Sequence, residues 1–193
     1  MEEVKKRKNY RNYTRSEKAI IRAYVELMSK KDKISVTDIV NCADLNRSTF
    51  YAHFKCVDDV REKIQSDVIE KLLGLIDVHS YRNSLENPYL AMSRIVEFIK
   101  SDEELYKTML NTAGADKFLK QLRDIVIERY LSDEVILPHI KDRNSFEMNL
   151  RLFIGGYVSV LEDWAAGNVK MSLEECARIM SKSIENCIRV YIN

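Results

Sequence analysis

Between Thr37 and Lys55 the chain gathers Thr37, Arg47, Ser48, Thr49, Tyr51, His53 and Lys55, side chains rich in hydrogen-bond donors. Such groups suit recognition of a polyanion better than bond breaking. A guanidinium can give two parallel hydrogen bonds to guanine O6 and N7, and a threonine offers its methyl to thymine and its hydroxyl to either base type. Arg47 and Thr49 are therefore the candidates for reading base sequence, with Ser48 between them. Tyr51, His53 and Lys55 are placed for phosphates, which set register and affinity. Thr37, near another helix start, combines a hydroxyl with backbone N–H groups that could hold one more phosphate. Plainer readings compete: His53 as an ordinary surface residue, and Arg47 paired with an acidic neighbour. An arginine at a helix N-terminus opposes the helix dipole, however, and gains by meeting an anion. Phe50 and Phe54 are assigned to the core, with no contact to nucleic acid.

Catalytic chemistry finds no comparable grouping. There is no Gly-x-Ser-x-Gly, no His-Glu-x-x-His and no phosphate-binding glycine loop. The histidines, His53, His79 and His139, are far apart, and Cys42, Cys56, Cys176 and Cys187 are scattered without a Cys-x-x-Cys pair. The expectation is a protein that is not an enzyme, with no catalytic residues, metal or cofactor. Free thiols fit a reducing compartment. The stretch MEEVKKRKNYRNY lacks an apolar secretion core, and no run approaches the roughly 18 apolar residues of a membrane span. A soluble, cytoplasmic protein without membrane contact is expected.

The elements that must position these residues follow from composition and period. Five glycines and two prolines among 193 residues favour an all-α fold. Charge divides unevenly: residues 1–55 carry 13 Lys/Arg against 7 Asp/Glu, and the remainder carries 18 against 23. A basic head that meets a polyanion, preceded by the arm Lys5, Lys6, Arg7 and Lys8, is one consequence; a solvated basic tail is the other. Apolar spacing predicts a first helix from Thr14 to Met28, with Thr14 and Glu17 as its capping box. Ser35 and Asp38 cap a short second helix, and Asn46 precedes a third running from Arg47 to His53. Two short helices joined by a tight turn make a helix-turn-helix. A long helix from Val57 to Val78 then connects head to body. Further helices are expected after Pro88, Ser101 and Asp116, and two substantial ones from Ser145 to Ala166 and from Ser172, with Glu175 as box partner, to Tyr191. About nine helices result.

The run ISVTDIVNCADLNRSTFYAHFK from Ile34 to Lys55 resembles the DNA-binding signature of the TetR family, and the likeness extends over about the first 65 residues. One departure is Asp44, where the family commonly places glycine; aspartate tolerates a left-handed backbone better than most residues. The resemblance implies residues 1–56 as an N-terminal three-helix DNA-binding domain and 57–193 as a helical regulatory and dimerisation domain. It also implies double-stranded DNA as partner and phosphate contacts from Tyr51, His53 and Lys55.

The segment FIGGYVSVLEDWAAGN, Phe153 to Asn168, is apolar over most of its circumference, so it should be buried on several sides. Gly155 and Gly156 in mid-helix argue for close helix approach or a bend. A homodimer interface through the last two helices would use both features. The segment is also similar to the branch of the family that includes the dihydroxyacetone-kinase operon regulators. Function is then expected as palindromic operator binding, with repression as the family default, modulated through the C-terminal domain by a small molecule of unknown identity or by a partner. Candidate pocket residues are Tyr106, Met109, Phe118, Tyr157 and Trp164, against the reading that they are simply core. The alternative is an adaptor or co-activator of the same fold, controlled by a protein partner.

Overall fold

The computed structural model describes residues 2–75, 87–112, 114–132, 134, 138 and 140–191, and of 2–12 and 186–191 the backbone alone. The expected helix end at Ile76–Val78, the polar stretch 79–86, His139, and the side chains of Lys5, Lys6, Arg7, Lys8 and Cys187 lie outside the described residues. Nine helices and no strand occur among the described residues. Two compact units divide the chain, Met1–Val68 and Ile69–Asn193.

The first unit contains α1 (Glu2–Met28), α2 (Val36–Cys42), α3 (Arg47–Tyr51) and the start of α4 (Val57–Leu75). The apolar period of α1 buries Ile20, Ala23, Tyr24 and Leu27. Both α2 and α3 pack on α1. Ile20, Ile39, Phe50 and Val60 are the most completely enclosed side chains, one from each helix. The start expected at Thr14 is corrected: the helix runs back to Glu2 and Thr14 lies inside it. Nothing from Glu2 to Tyr13 is glycine or proline, and Glu2 and Glu3 suit the positive end of the helix dipole, so there is no signal to stop.

Helix α2 begins on a true capping box. The Ser35 hydroxyl accepts the Asp38 N–H at 3.2 Å, and the Asp38 carboxylate accepts the Ser35 N–H at 2.9 Å. It ends at Asp44, whose φ of 52° is left-handed. There the Leu45 N–H donates to the Val40 carbonyl at 2.9 Å and the Asp44 N–H to the Asn41 carbonyl at 3.5 Å, the paired closure of a Schellman turn. This turn hands the chain to Asn46, the extended residue before α3.

The second unit holds α5 (Pro88–Lys100), α6 (Glu103–Asn111), α7 (Ala115–Leu131), α8 (Arg143–Ala165) and α9 (Leu173–Tyr191). Side chains of Asn87, Asp102 and Asp142 cap α5, α6 and α8, and Pro88 occupies the first turn of α5. The Ser172–Glu175 box precedes α9, with hydrogen bonds of 2.8 and 3.2 Å. Helix α9 lies chiefly along α5, while α6 and α7 pack on α8. Asn111 Nδ2 donates to the Ala165 carbonyl at 2.9 Å, and the Lys107 ammonium sits 4.5 Å from the centre of a Trp164 ring, tying α6 to the end of α8.

Within Phe153–Asn168, Val158 and Trp164 are buried, Phe153, Ile154, Tyr157, Val160 and Leu161 are half-buried, and Gly156 and Ser159 are exposed. Met148 and Leu152 are each 68% exposed, and a Cβ added at Gly155 or Gly156 would meet nothing within 4 Å. Among the described residues none uses the space these glycines leave. The uncovered residues Met148, Leu152, Gly156 and Ser159 recur at helical spacing and form one stripe.

Candidate nucleic-acid interface and effector cavity

Helix α3 separates its residues sharply. Phe50 and Phe54 are buried, as their types suggest, with ring centres 6.0 Å apart. Arg47, Ser48 and Lys55 are exposed, Tyr51 is 55% exposed, and Thr49 is half-buried. The Phe50 anchor thus leaves the start of α3 presented to solvent. Among the described residues no carboxylate pairs with Arg47; its Nη2 donates to the Thr37 hydroxyl at 2.6 Å. Two of the sequence candidates, ten positions apart, are thereby joined at adjacent helix starts. The Thr37 oxygen accepts from Arg47, and its hydroxyl proton can still be donated. The Asp38 N–H, which could have faced a phosphate, is taken by the Ser35 side chain.

His53 turns inward. Its Nε2 lies 2.7 Å from the Ser16 hydroxyl and its ring centre 4.0 Å from that of Tyr13, both on α1. Its Nδ1 is buried and lacks a hydrogen-bond partner. His53 therefore locks α3 to α1. Ser16 and Tyr13 escaped the sequence reading because nothing in the residue pattern links His53 to positions so far before it. Lys55 ends the motif, where its N–H donates to the Asp59 carboxylate at 2.7 Å; this acceptance holds the Asp59 carboxyl below its usual range and caps α4.

In the second unit a cavity of about 210 Å³ opens among α5, α7, α8, α9 and the last turn of α4. Its walls include Val96, Ile99, Val126, Leu150, Phe153 and Val158. Of the five residues expected around a ligand, Tyr157 stands on this wall. Tyr106, Met109, Phe118 and Trp164 are buried but lie outside the cavity lining. Tyr106 instead packs on Phe98 with ring centres 4.9 Å apart. The Tyr157 hydroxyl is buried without a hydrogen-bond partner. Burial, reinforced by the neighbouring Tyr130, raises its ionisation well above the ordinary tyrosine range, while burial alone pushes Tyr130 up to about 12. Both remain donors at neutral pH.

No group of His, Cys, Asp and Glu suited to a metal occurs among the described residues, and no described helix is long and apolar enough to cross a membrane.

Residues 86–186 match the TetR family model described as "Transcriptional regulator C-terminal region". No curated protein is a significant match. Among solved structures, the chain is similar to a TetR-family regulator from Syntrophomonas wolfei at 16% identity and a TM-score of 0.74, covering 91% of this chain and 96% of that one. It is similar to the dihydroxyacetone kinase operon activator DhaS at 14% identity and a TM-score of 0.69, covering 92% and 98%. A TetR regulator from Streptococcus agalactiae shares 18% identity with a TM-score of 0.64, covering 92% and 97%. These likenesses are of fold. The family match spans more than half of the sequence: the protein belongs to the TetR family of transcriptional regulators.

Proposed function

We propose that the protein is a sequence-specific DNA-binding regulator that grips a palindromic operator as a homodimer, represses by default, and is modulated by a small molecule in its C-terminal unit. The observation that carries the DNA reading is the Arg47–Thr37 hydrogen bond of 2.6 Å on the exposed edge of a head whose aromatic side is buried. It pre-forms a donor group at the start of the recognition helix. In this reading Arg47, Ser48 and Thr49 face base edges, and Thr37, Tyr51 and Lys55 bind phosphates. His53 acts through the placement of α3, although the sequence assigned it a phosphate.

Dimerisation draws support from the stripe Met148, Leu152, Gly156 and Ser159, together with Ile179, which is 54% exposed on α9. A second copy packed against this face would cover large apolar side chains and use the room left by the glycines. Two recognition helices related by a two-fold axis would then require half-sites at fixed spacing. The effector would work by favouring one arrangement over another, with α4 as the lever; 1–3 kcal/mol of coupling is a typical size, about what a graded switch needs.

The test is the Arg47→Ala, Tyr51→Ala double variant, assayed for regulation and for oligomeric state. Loss of regulation with an intact dimer is expected. Unchanged regulation would overturn direct DNA binding and favour an adaptor controlled by a protein partner.

A further inference from the structure

We infer that the outward face of α1 is a second, sequence-independent contact for double-stranded DNA, separate from the edge of α3 that reads bases. This rests on the DNA-binding reading above and adds a surface that the helix-turn-helix does not use.

Most of the basic excess of the head lies away from the recognition edge. Of the 13 Lys/Arg in residues 1–55, that edge uses Arg47 and Lys55, whereas eight stand between Lys5 and Arg22 with Glu17 as the one acid among them. Arg15, Lys18 and Arg22 recur at helical spacing, and all three are exposed. At about 3.6 residues per turn their row runs on roughly the opposite side of α1 from the buried Ile20, Ala23, Tyr24 and Leu27. The helix continues back to Glu2, and Arg11 and Lys8 fall on the same register. From Lys8 to Arg22 the row is about 21 Å long.

Elsewhere exposed cations are neutralised: Lys30 by Glu26, Lys63 by Asp67, Lys107 by Glu103, Lys120 by Asp124 and Arg151 by Glu147, each within 3.0 Å. Among the described residues no carboxylate pairs with Arg15, Lys18 or Arg22. Like charges at this spacing repel and weaken a helix, and a polyanion reverses that cost. A protein partner would be anchored by aromatic or aliphatic groups. The exposed large hydrophobic side chain on the described part of α1 is Tyr13, which stacks on His53 away from the row. A helix lying on a membrane sets an apolar face beside its cations, and the apolar face of α1 is buried in the head. A duplex asks only for cations at intervals, and its strand offers a phosphate about every 3.4 Å. Helices α2 and α3 pack on α1, and the row points away from its buried face. It therefore serves backbone outside the groove that α3 enters.

The test is fluorescence anisotropy of a labelled duplex of arbitrary sequence, about 40 base pairs long, titrated with the full chain between about 50 and 200 mM salt. Arg15→Gln, Lys18→Gln and Arg22→Gln are combined in one variant; glutamine keeps helix propensity, and helicity by circular dichroism reports an intact fold. A control variant, Lys117→Gln, Lys120→Gln and Lys170→Gln, removes the same charge from exposed positions of the other unit. The α1 variant is expected to bind at least about tenfold more weakly at low salt, with a log–log salt slope shallower by about two to three per protomer. The control should change the slope by less than about one. An unchanged slope in the α1 variant, or an equal change in the control, would overturn the inference. So would binding to phosphatidylglycerol vesicles that the α1 variant loses while its duplex slope stays the same, which would assign the row to a membrane. Failure of the DNA-binding reading has a different signature: the unaltered protein would then bind no duplex, and both readings would fall together.

Discussion

Arg47 and Thr37 show how a recognition edge is prepared before its target arrives. A long, flexible guanidinium loses rotamer freedom when it binds, and the Thr37 hydroxyl already restrains it. Arg47→Ala is expected to relax base preference at one operator position, at a cost of about 1–3 kcal/mol there, measured by competition between duplexes. Lys55→Ala should weaken all sequences alike and lower the slope of affinity against salt by about one. Both roles are proposed from residue type and from exposure at and after α3. The inward turn of His53 was not legible, because its partners Tyr13 and Ser16 belong to another helix. Nor could sequence separate Tyr157 from Tyr106, Met109, Phe118 and Trp164: aromatic and sulfur side chains at helical spacing fill a core and line a cavity with the same pattern. The buried tyrosines also carry a pH signature. Their folded ionisation lies above the ordinary value of 10.0, so the stability they hold is complete below about pH 10 and is lost as pH rises toward the folded value. Thermal unfolding followed between about pH 8 and 11 should fall, and Tyr157→Phe should flatten that fall.

At the scale of elements, local chemistry set most boundaries. Ser35–Asp38 and Ser172–Glu175 read as capping boxes from spacing alone and form the reciprocal hydrogen bonds that spacing implies. The start of α1 did not follow this rule, since Thr14 and Glu17 carry the same spacing inside a longer helix. A cap signal stops a helix only where the residues before it disfavour one, and Glu2 to Tyr13 do not. The turn between α2 and α3 is a strained solution. The Schellman closure after α8 uses Gly167 at φ 77°, whereas α2 uses Asp44 at φ 52°. Asp44→Gly should therefore stabilise the head by about 0.5–1 kcal/mol, read as a higher denaturant midpoint with unchanged slope, and a β-branched residue there should lower it. Asn46 precedes α3 without a side-chain cap bond, so the placement of α3 relies on the burial of Phe50 and on the His53 contact.

At the scale of the whole molecule, two features lacked an explanation within a single chain: the basic bias of residues 1–55 and the apolar stripe on α8. Under the proposed function a nucleic-acid partner would account for the first and a second copy for the second. Gly155 and Gly156 suggested close approach or a bend, and among the described residues nothing approaches them within 4 Å of an added Cβ. Leu152→Arg, at a position 68% exposed in one chain, should leave helicity and stability of the protomer nearly unchanged while sedimentation shifts from dimer to monomer. The central claim, that a dimer reads DNA sequence through Arg47 and its neighbours, is most directly examined by selecting duplexes from a random library with the purified protein at moderate salt. Enrichment of an inverted repeat with fixed half-site spacing, lost with Arg47→Ala, is the expected result. A folded dimer that enriches no motif would contradict the account.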